Sequence, residues 1–516
     1  MSSNSNTETI IIIDFGSQYS RLIARSIREL NVYCEIVSHK STWEDIKKSN
    51  PKGVILSGGP ASVYETNAPL APNWIYDQDI PVLGICYGMQ LLVHQLGGVV
   101  EPSDKKEFGH ATLNTSDKNN SLFQGISENS SVWMSHGDKV NVLPDGFEIL
   151  AFTENSPIAA MGNSDGYFGL QFHPEVVHTE EGKIILKNFV EFCGCAQNWT
   201  TKNFVDQSIL DIRNLVKDKK VICALSGGVD SVVAASLVSR AIGDQLTCIF
   251  VNNGLMRKEE PERILDTFSK NLTTNIIYKD ASELFLNSLK GVTDPEQKRK
   301  IIGNKFIEIF DEESNQLGEV DYLVQGTLYP DVIESQVSGD DISAKIKTHH
   351  NVGGLPEDMK LKLLEPLRYL FKDEVRKVGL ELGLPTEIVN RQPFPGPGLS
   401  IRIVGEVTQE KLNILRLSDW IVMDEMKDSG LYHELWQSFA VLPDSRSVGV
   451  TGDHRTYGEV IAIRAVNSSE AMTADWARIP YDILSRMSNR ICNEVPGVNR
   501  VVYDITSKPP GTIEWE

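Results

Sequence analysis

Two stretches of the chain do most to limit its fold. Over residues 9–100, and again from about 203 to 325, short apolar runs alternate with segments of helical pattern. Strands are expected at 9–13, 32–37, 53–56 and 81–85, then at 220–225, 246–251, 274–278 and 320–325. Alternation of this kind builds parallel sheets covered by helices on both faces, and TIIIID at 9–14 suits a first buried strand. Ligands of such sheets bind at the carboxyl ends of the strands. Between the two series, residues 110–172 change to short strands with turn signals, and a helix is expected near 180–192. RQPFPGPGLS at 391–400 is a rigid connection, after which the pattern changes again. A helix at 408–428, strands near 446–450 and 457–466, a helix at 480–493 and a strand at 498–505 follow. The expected class is α/β: two domains with largely parallel open sheets plus a C-terminal α+β domain.

A chain of 516 residues has room for about three domains. Its formal net charge of −20 argues against nucleic-acid binding, which needs a basic surface, but leaves small anions in local basic pockets open. No apolar run is long enough to cross a membrane. The seven cysteines are an odd number without framework spacing, and no signal-like N-terminus precedes them, so reduced thiols and a cytoplasmic setting are expected. CGC at 193–195 has no second Cys or His pair nearby, which argues against zinc.

Three loops at expected strand ends carry chemistry. GICYGMQ at 84–90 sets Cys86 between Gly84 and Gly88, in the strand–turn–helix context of a nucleophile elbow. A helix N-terminus there lowers a thiol's pKa from its free value of about 8.5. A buried structural cysteine is the alternative. GLQFHPE at 169–175 places His173 and Glu175 two apart in extended chain, on one side. An isolated strand-end histidine is more often structural, but a His/carboxylate pair can take a thiol proton and hold the imidazolium. LSGGPAS at 56–62 brings Gly58 and Gly59 to the same sheet end, where their N–H groups and that of Tyr87 would bind an oxyanion. In the second series, LSGGVDS at 225–231 runs from a strand into a helix. Ser226, Gly227, Gly228, Val229, Asp230 and Ser231 offer hydroxyls, flexible backbone and a helix N-terminus to a phosphate. Asp230 beside phosphates points to Mg²⁺. A capped βα turn accounts for these residues equally well when they are taken alone.

Taken together, Cys86, His173, Glu175 and the Gly58–Gly59 loop resemble the class I (triad-type) glutamine amidotransferases, over roughly residues 9–195. The resemblance implies attack of Cys86 on the side-chain amide of glutamine, release of ammonia and hydrolysis of a glutamyl thioester. SGGVDS resembles the pyrophosphate loop of the N-type ATP pyrophosphatases, which grips the β- and γ-phosphates while AMP is transferred to an acceptor. That family often has a second Ser after Ser231; here it is Val232, so no hydroxyl role is assigned there.

KRKIIG at 298–303, QGTLYPDVIES at 325–335, IKTHHN at 346–351, RQPFPGPGLSIR at 391–402 and KPPGTIEWE at 508–516 extend the likeness. They resemble the glutamine-dependent ligases that aminate xanthosine 5′-monophosphate (XMP), with Gly511 where Ala is common. This resemblance implies an amidotransferase domain at 9–198, an adenylating domain at 199–391, and a dimerising, XMP-binding domain at 392–516. The implied partners are ATP with Mg²⁺, XMP, glutamine and a second copy of the chain. Arg299, Arg402 and Lys508 are the candidate cations for XMP, Arg as a bidentate fork and Lys as a point charge, with Glu514 toward the xanthine ring. Lys347, His349 and His350, flanked by Asp331 and Glu334, would close as a lid within 335–360. A solvated surface loop, and a frayed end for Lys508 and Glu514, are the plain alternatives. Amination or sulfur transfer to another acceptor, and a non-catalytic sensor, are the competing functions; KPPGTIEWE and the intact Cys/His/Glu set oppose them.

Overall fold

A computed structural model describes residues 8–116, 120–271, 274–337, 361–468, 471 and 473–516. The chain packs as two compact units, one ending at Asn203 and the other spanning Phe204–Glu516.

The first unit is built on a nine-stranded sheet. Its strands are β1 (Thr9–Asp14), β2 (Tyr33–Ser38), β3 (Pro51–Leu56), β4 (Val82–Ile85), β5 (Val99–Thr115), β6 (Ser130–Val142), β7 (Glu148–Phe152), β8 (Ala160–Gly162) and β9 (Tyr167–Leu170). They lie in the order β2-β1-β3-β4-β9-β8-β7-β5-β6. β1 to β4 and β9 run parallel, and the remaining pairings are antiparallel. Ile10 to Ile13 of β1 are all fully buried, so the strand is covered on both faces. The helix Ser20–Glu29 buries Ile23, Ala24 and Ile27, the spacing of one helical face. The helix expected near 180–192 is Gly182–Phe192. β5 and β6, at 17 and 13 residues, are far longer than the short strands expected there. The polar PSDKK at 102–106 breaks the period-2 pattern because the ladder shifts register between Pro102 and Glu107.

The second unit holds a five-stranded parallel sheet and a mixed sheet. The parallel strands are β10 (Val221–Leu225), β11 (Leu246–Asn252), β12 (Asn275–Asp280), β13 (Tyr322–Val324) and β14 (Lys362–Leu364), in the order β12-β11-β10-β13-β14. β14 was not anticipated, since three residues carry no readable period. β15 (Gln437–Val441), β16 (Arg446–Thr451), β17 (His454–Asn467), β18 (Asp475–Trp476) and β19 (Val498–Asp504) form the second sheet, in which each of the others pairs with β17. The two sheets share one core: Ile222 and Ile249 of the parallel sheet belong to the same cluster as Leu399, Leu415, Ile461 and Met487. The PFPGPG connection is bolted to that core. Gly398 has φ +64°, a Cβ there would run into the carbonyl of Leu255, and Leu399 N donates to that same carbonyl at 2.7 Å. Among the described residues no helix is long and apolar enough to cross a membrane.

Candidate active site

β4 and β9 are neighbours, with Ile85 opposite Leu170. Cys86 is one residue beyond that pair and His173 three beyond, so both emerge at the same carboxyl end. Cys86 stands between β4 and the helix Tyr87–Gln95 with φ 52° and ψ −105°, a strained backbone for any residue with a Cβ. Its N–H donates to Leu170 O at 2.7 Å and its carbonyl accepts from Gln90 N at 3.1 Å, which fixes the elbow. The flanking glycines are needed for close approach. A Cβ on Gly84 would lie 2.5 Å from the carbonyl carbon of Gly88, and one on Gly88 would strike the backbone of Leu56.

His173 is buried, and its Nδ1 lies 2.7 Å from Glu175 Oε1. Burial on its own would lower the imidazole pKa. The Glu175 carboxylate and the hydrogen bond to Cys86 outweigh it and push the group up to about 11, so the ring is an imidazolium at neutral pH. Tyr19 packs edge-on to the ring, centroids 5.0 Å apart. Gly58 and Gly59 sit tightly over this centre. A Cβ on Gly58 would be 3.3 Å from His173 Cε1, and one on Gly59 would be 3.0 Å from the Tyr87 ring. The structure thus gathers Cys86, His173, Glu175, Gly58, Gly59 and Tyr87 in one place. It adds Gln171, whose Nε2 donates to Cys86 Sγ at 3.8 Å, and Gln90, whose Nε2 reaches Gln171 Oε1 at 3.3 Å. Both were legible by spacing: Gln171 is two residues before His173 in the strand-like run YFGLQFH, and Gln90 is four after Cys86 on a helix.

In the second unit, β10 ends at Leu225 and the helix Val229–Ile242 begins with Gly228 as its cap. Gly227 has φ +74°, and a Cβ there would collide with Ile264. Ser226 Oγ and Ser231 Oγ are 3.0 Å apart, Gly228 N donates to Ser226 Oγ at 3.3 Å, and Ser231 Oγ donates to Gly228 O at 3.0 Å. Val229 is buried beneath the loop. Asp230 accepts Lys372 Nζ on both carboxylate oxygens, at 2.8 and 2.7 Å, and Arg391 Nη1 donates to Gly227 O at 3.0 Å. These two cations were not singled out in the sequence. Lys372 opens the helix Lys372–Glu381, 142 residues beyond its partner, and nothing local marks it. Among the described residues no group of three or more His, Cys, Asp and Glu could hold a metal ion. The single carboxylate of Asp230 at this loop still fits Mg²⁺, which commonly takes one or two protein carboxylates and completes its shell with phosphate and water.

Asp331 accepts Leu328 N at 2.9 Å and so caps the helix Tyr329–Val337, on which Glu334 also lies. Lys347, His349 and His350 lie outside the described residues.

The remaining candidates meet around the segment 506–516. Arg402 is fully buried and holds Glu514 bidentately, at 3.0 and 2.9 Å, with its guanidinium 3.9 Å from the Phe439 centroid. A phosphate at Arg402 would therefore compete with a carboxylate already seated. Gln437 Nε2 donates to Glu514 at 2.8 Å. Arg299 Nη2 donates to Glu516 O at 2.6 Å. Lys508 makes none of these contacts; its Nζ donates to Ala471 O at 2.8 Å. Sequence reasoning missed Lys298 and Glu516. The fully buried Lys298 Nζ donates to Ser400 O at 3.2 Å and Ile403 O at 2.7 Å and pairs with the Glu516 carboxylate, which also accepts Gly405 N at 3.1 Å.

Known proteins resemble every part of this arrangement. Residues 11–192 match the family described as glutamine amidotransferase class-I, 219–276 match the tRNA methyl transferase HUP domain, and 424–515 match the GMP synthase C terminal domain. A protein of Dehalococcoides mccartyi named GMP synthase [glutamine-hydrolyzing] is 65% identical over 510 residues, covering 99% of this chain and 96% of its own. One of the same name from Carboxydothermus hydrogenoformans is 58% identical over 509 residues, covering 98% of this chain and 99% of its own. Among solved structures, a glutamine amidotransferase from Thermotoga maritima is 20% identical with a TM-score of 0.30, covering 36% of this chain and 98% of that one.

Proposed function

Because the chain belongs to the glutamine-hydrolysing GMP synthases, we propose that its two constellations divide that activity between them. In the first, Cys86 attacks the side-chain amide carbon of glutamine. The His173 imidazolium, held by Glu175, supplies the proton with which ammonia leaves. Water then cleaves the glutamyl thioester to glutamate and restores the thiol. The N–H groups of Gly58, Gly59 and Tyr87 are the proposed oxyanion donors. The observation that carries this reading is the strained Cys86 elbow beside the buried His173–Glu175 pair.

In the second, the loop Ser226–Ser231 holds the β- and γ-phosphates of ATP at a helix N-terminus. O2 of XMP attacks the α-phosphate of ATP and takes the adenylyl group as pyrophosphate leaves; ammonia then attacks C2, loses a proton and displaces AMP, and GMP remains. Lys372 and Arg391 lie against the loop, where they can neutralise phosphate charge. Mg²⁺ would be held by Asp230, and when bound it supplies further neutralisation of the triphosphate. Arg299, Arg402, Lys508 and Glu514 are proposed to line the XMP site, and Asp331, Glu334, Lys347, His349 and His350 to serve the lid. The proposed domains are 9–198, 199–391 and 392–516. Homodimerisation through the last is supported by an exposed apolar patch, in which Val448 and Tyr457 are cross-strand neighbours and Val450 is 75% exposed. Cytoplasmic residence is proposed from the odd, unframed cysteine set.

The test is a Cys86→Ala protein assayed for GMP and AMP with glutamine, then with ammonium chloride. Loss with glutamine and retention with ammonium is expected. Loss under both conditions in a folded protein would contradict the division of labour.

A further inference from the structure

The β5–β6 ladder breaks beside Cys86. Pro102 pairs with Asp138 and Glu107 with His136, so residues 103–106 stand opposite Gly137 alone. A bulge of this size interrupts the backbone bonding of both strands. The β6 segment around Gly137 forms a wall of the nucleophile's pocket. Ser135 O lies 3.7 Å from Cys86 Sγ, and Asp138 O accepts Gln90 Nε2 at 3.4 Å. The Asp138 carboxylate accepts Ser62 Oγ at 2.6 Å and Tyr64 OH at 2.8 Å.

Side chains close the gap. His136 Nδ1 is 2.8 Å from Asp138 O, and its Nε2 is 3.2 Å from Glu107 Oε2. Glu107 Oε1 accepts Thr153 Oγ1 at 3.1 Å, and both His136 and Glu107 are buried. A carbonyl oxygen has no proton to give, so Nδ1–H donates to Asp138 O. Nε2 faces the Glu107 carboxylate on the opposite strand. The ring therefore spans the bulge as a strut, tied at one end to the backbone of its own strand and at the other to the opposite strand.

We propose that His136, anchored by Glu107 and Thr153, is a positioning residue for glutamine: it holds the 135–138 segment of β6 against Cys86. The inference rests on the reading of Cys86 as the nucleophile. The test compares His136→Phe, which keeps the ring volume and removes both bonds, with His136→Asn, whose amide can still donate to Asp138 O. Both are assayed for glutamine-dependent and ammonium-dependent GMP formation. His136→Phe is expected to raise the KM for glutamine about tenfold or more with a much smaller change in kcat, and His136→Asn to recover most of that loss. Ammonium-dependent activity is expected to match the parent in both. A glutamine KM in His136→Phe within about twofold of the parent overturns the proposal, as does an equal loss in both variants. Cys86→Ala in the same assay separates the two readings. If it still hydrolyses glutamine, the nucleophile assignment falls and this proposal with it. If it is inert while His136→Phe behaves as the parent, this proposal falls alone.

Discussion

His173 is subject to two opposed influences. Burial would strip its proton, while Glu175 and Cys86 hold the proton on and push the imidazole up to about 11. Glu175→Gln removes the principal holding charge and leaves the burial, so the pKa of His173 should fall toward or below the free value of about 6.5. Histidine-detected NMR titration of the two proteins checks this, and an unmoved pKa would contradict it. Glutamine hydrolysis should fall by about 10²–10⁴-fold in the same variant, with ammonium-dependent synthesis retained. The sign for stability follows from the raised pKa. The His173 contribution is full below the unfolded value of about 6.5 and is lost as pH rises through about 11, because over that window the folded state holds the proton that the unfolded state has released. On a Cys86→Ala background, which removes the second titrating group of the pair, denaturant midpoints should drop more steeply between about pH 7 and 10 with Glu175 intact than with Glu175→Gln added.

At the scale of elements, the proposed chemistry rests on two strand–turn–helix junctions, and each depends on close approach. Gly88→Ala would drive a methyl into the backbone of Leu56, so it should cost about 1–3 kcal/mol by overpacking and displace the Cys86 elbow. Thermal melts and glutaminase assays would detect both effects, and parent-like activity would show that the elbow tolerates the shift. At the other junction, Lys372→Met leaves the Asp230 carboxylate without its cation. The KM for ATP should rise about tenfold or more while glutamine hydrolysis is unchanged; an unaltered KM would remove Lys372 from the nucleotide site. These junctions were readable because strand, glycine and helix are adjacent in the chain. TIIIID, GICYGMQ and LSGGVDS state their structure within a few residues. What was not readable is made by pairings across long separations. Lys372 meets Asp230 across 142 residues, Lys298 meets Glu516 across 218, and His136 meets Glu107 only because a bulge brings them level. Arg402 and Glu514 were each found as candidates, but only the fold shows that they hold one another.

At the scale of the whole molecule, the described residues pack as two compact units, and the second carries a large hydrophobic cluster common to its two sheets. The parallel sheet of β10–β14 and the mixed sheet around β17 share one hydrophobic cluster, although RQPFPGPGLS reads as a break between them. Calorimetry should resolve two transitions, with XMP and ATP raising one of them. Independent melting of 392–516 would contradict the shared core. The central claim is that nitrogen freed at Cys86 is the nitrogen installed on the nucleotide. Glutamine labelled with ¹⁵N at its side-chain amide, supplied with ATP, XMP and unlabelled ammonium, tests it directly by the mass of the GMP formed. The parent protein should yield labelled GMP, and Cys86→Ala only unlabelled GMP made from the added ammonium. Labelled GMP from Cys86→Ala would contradict the account.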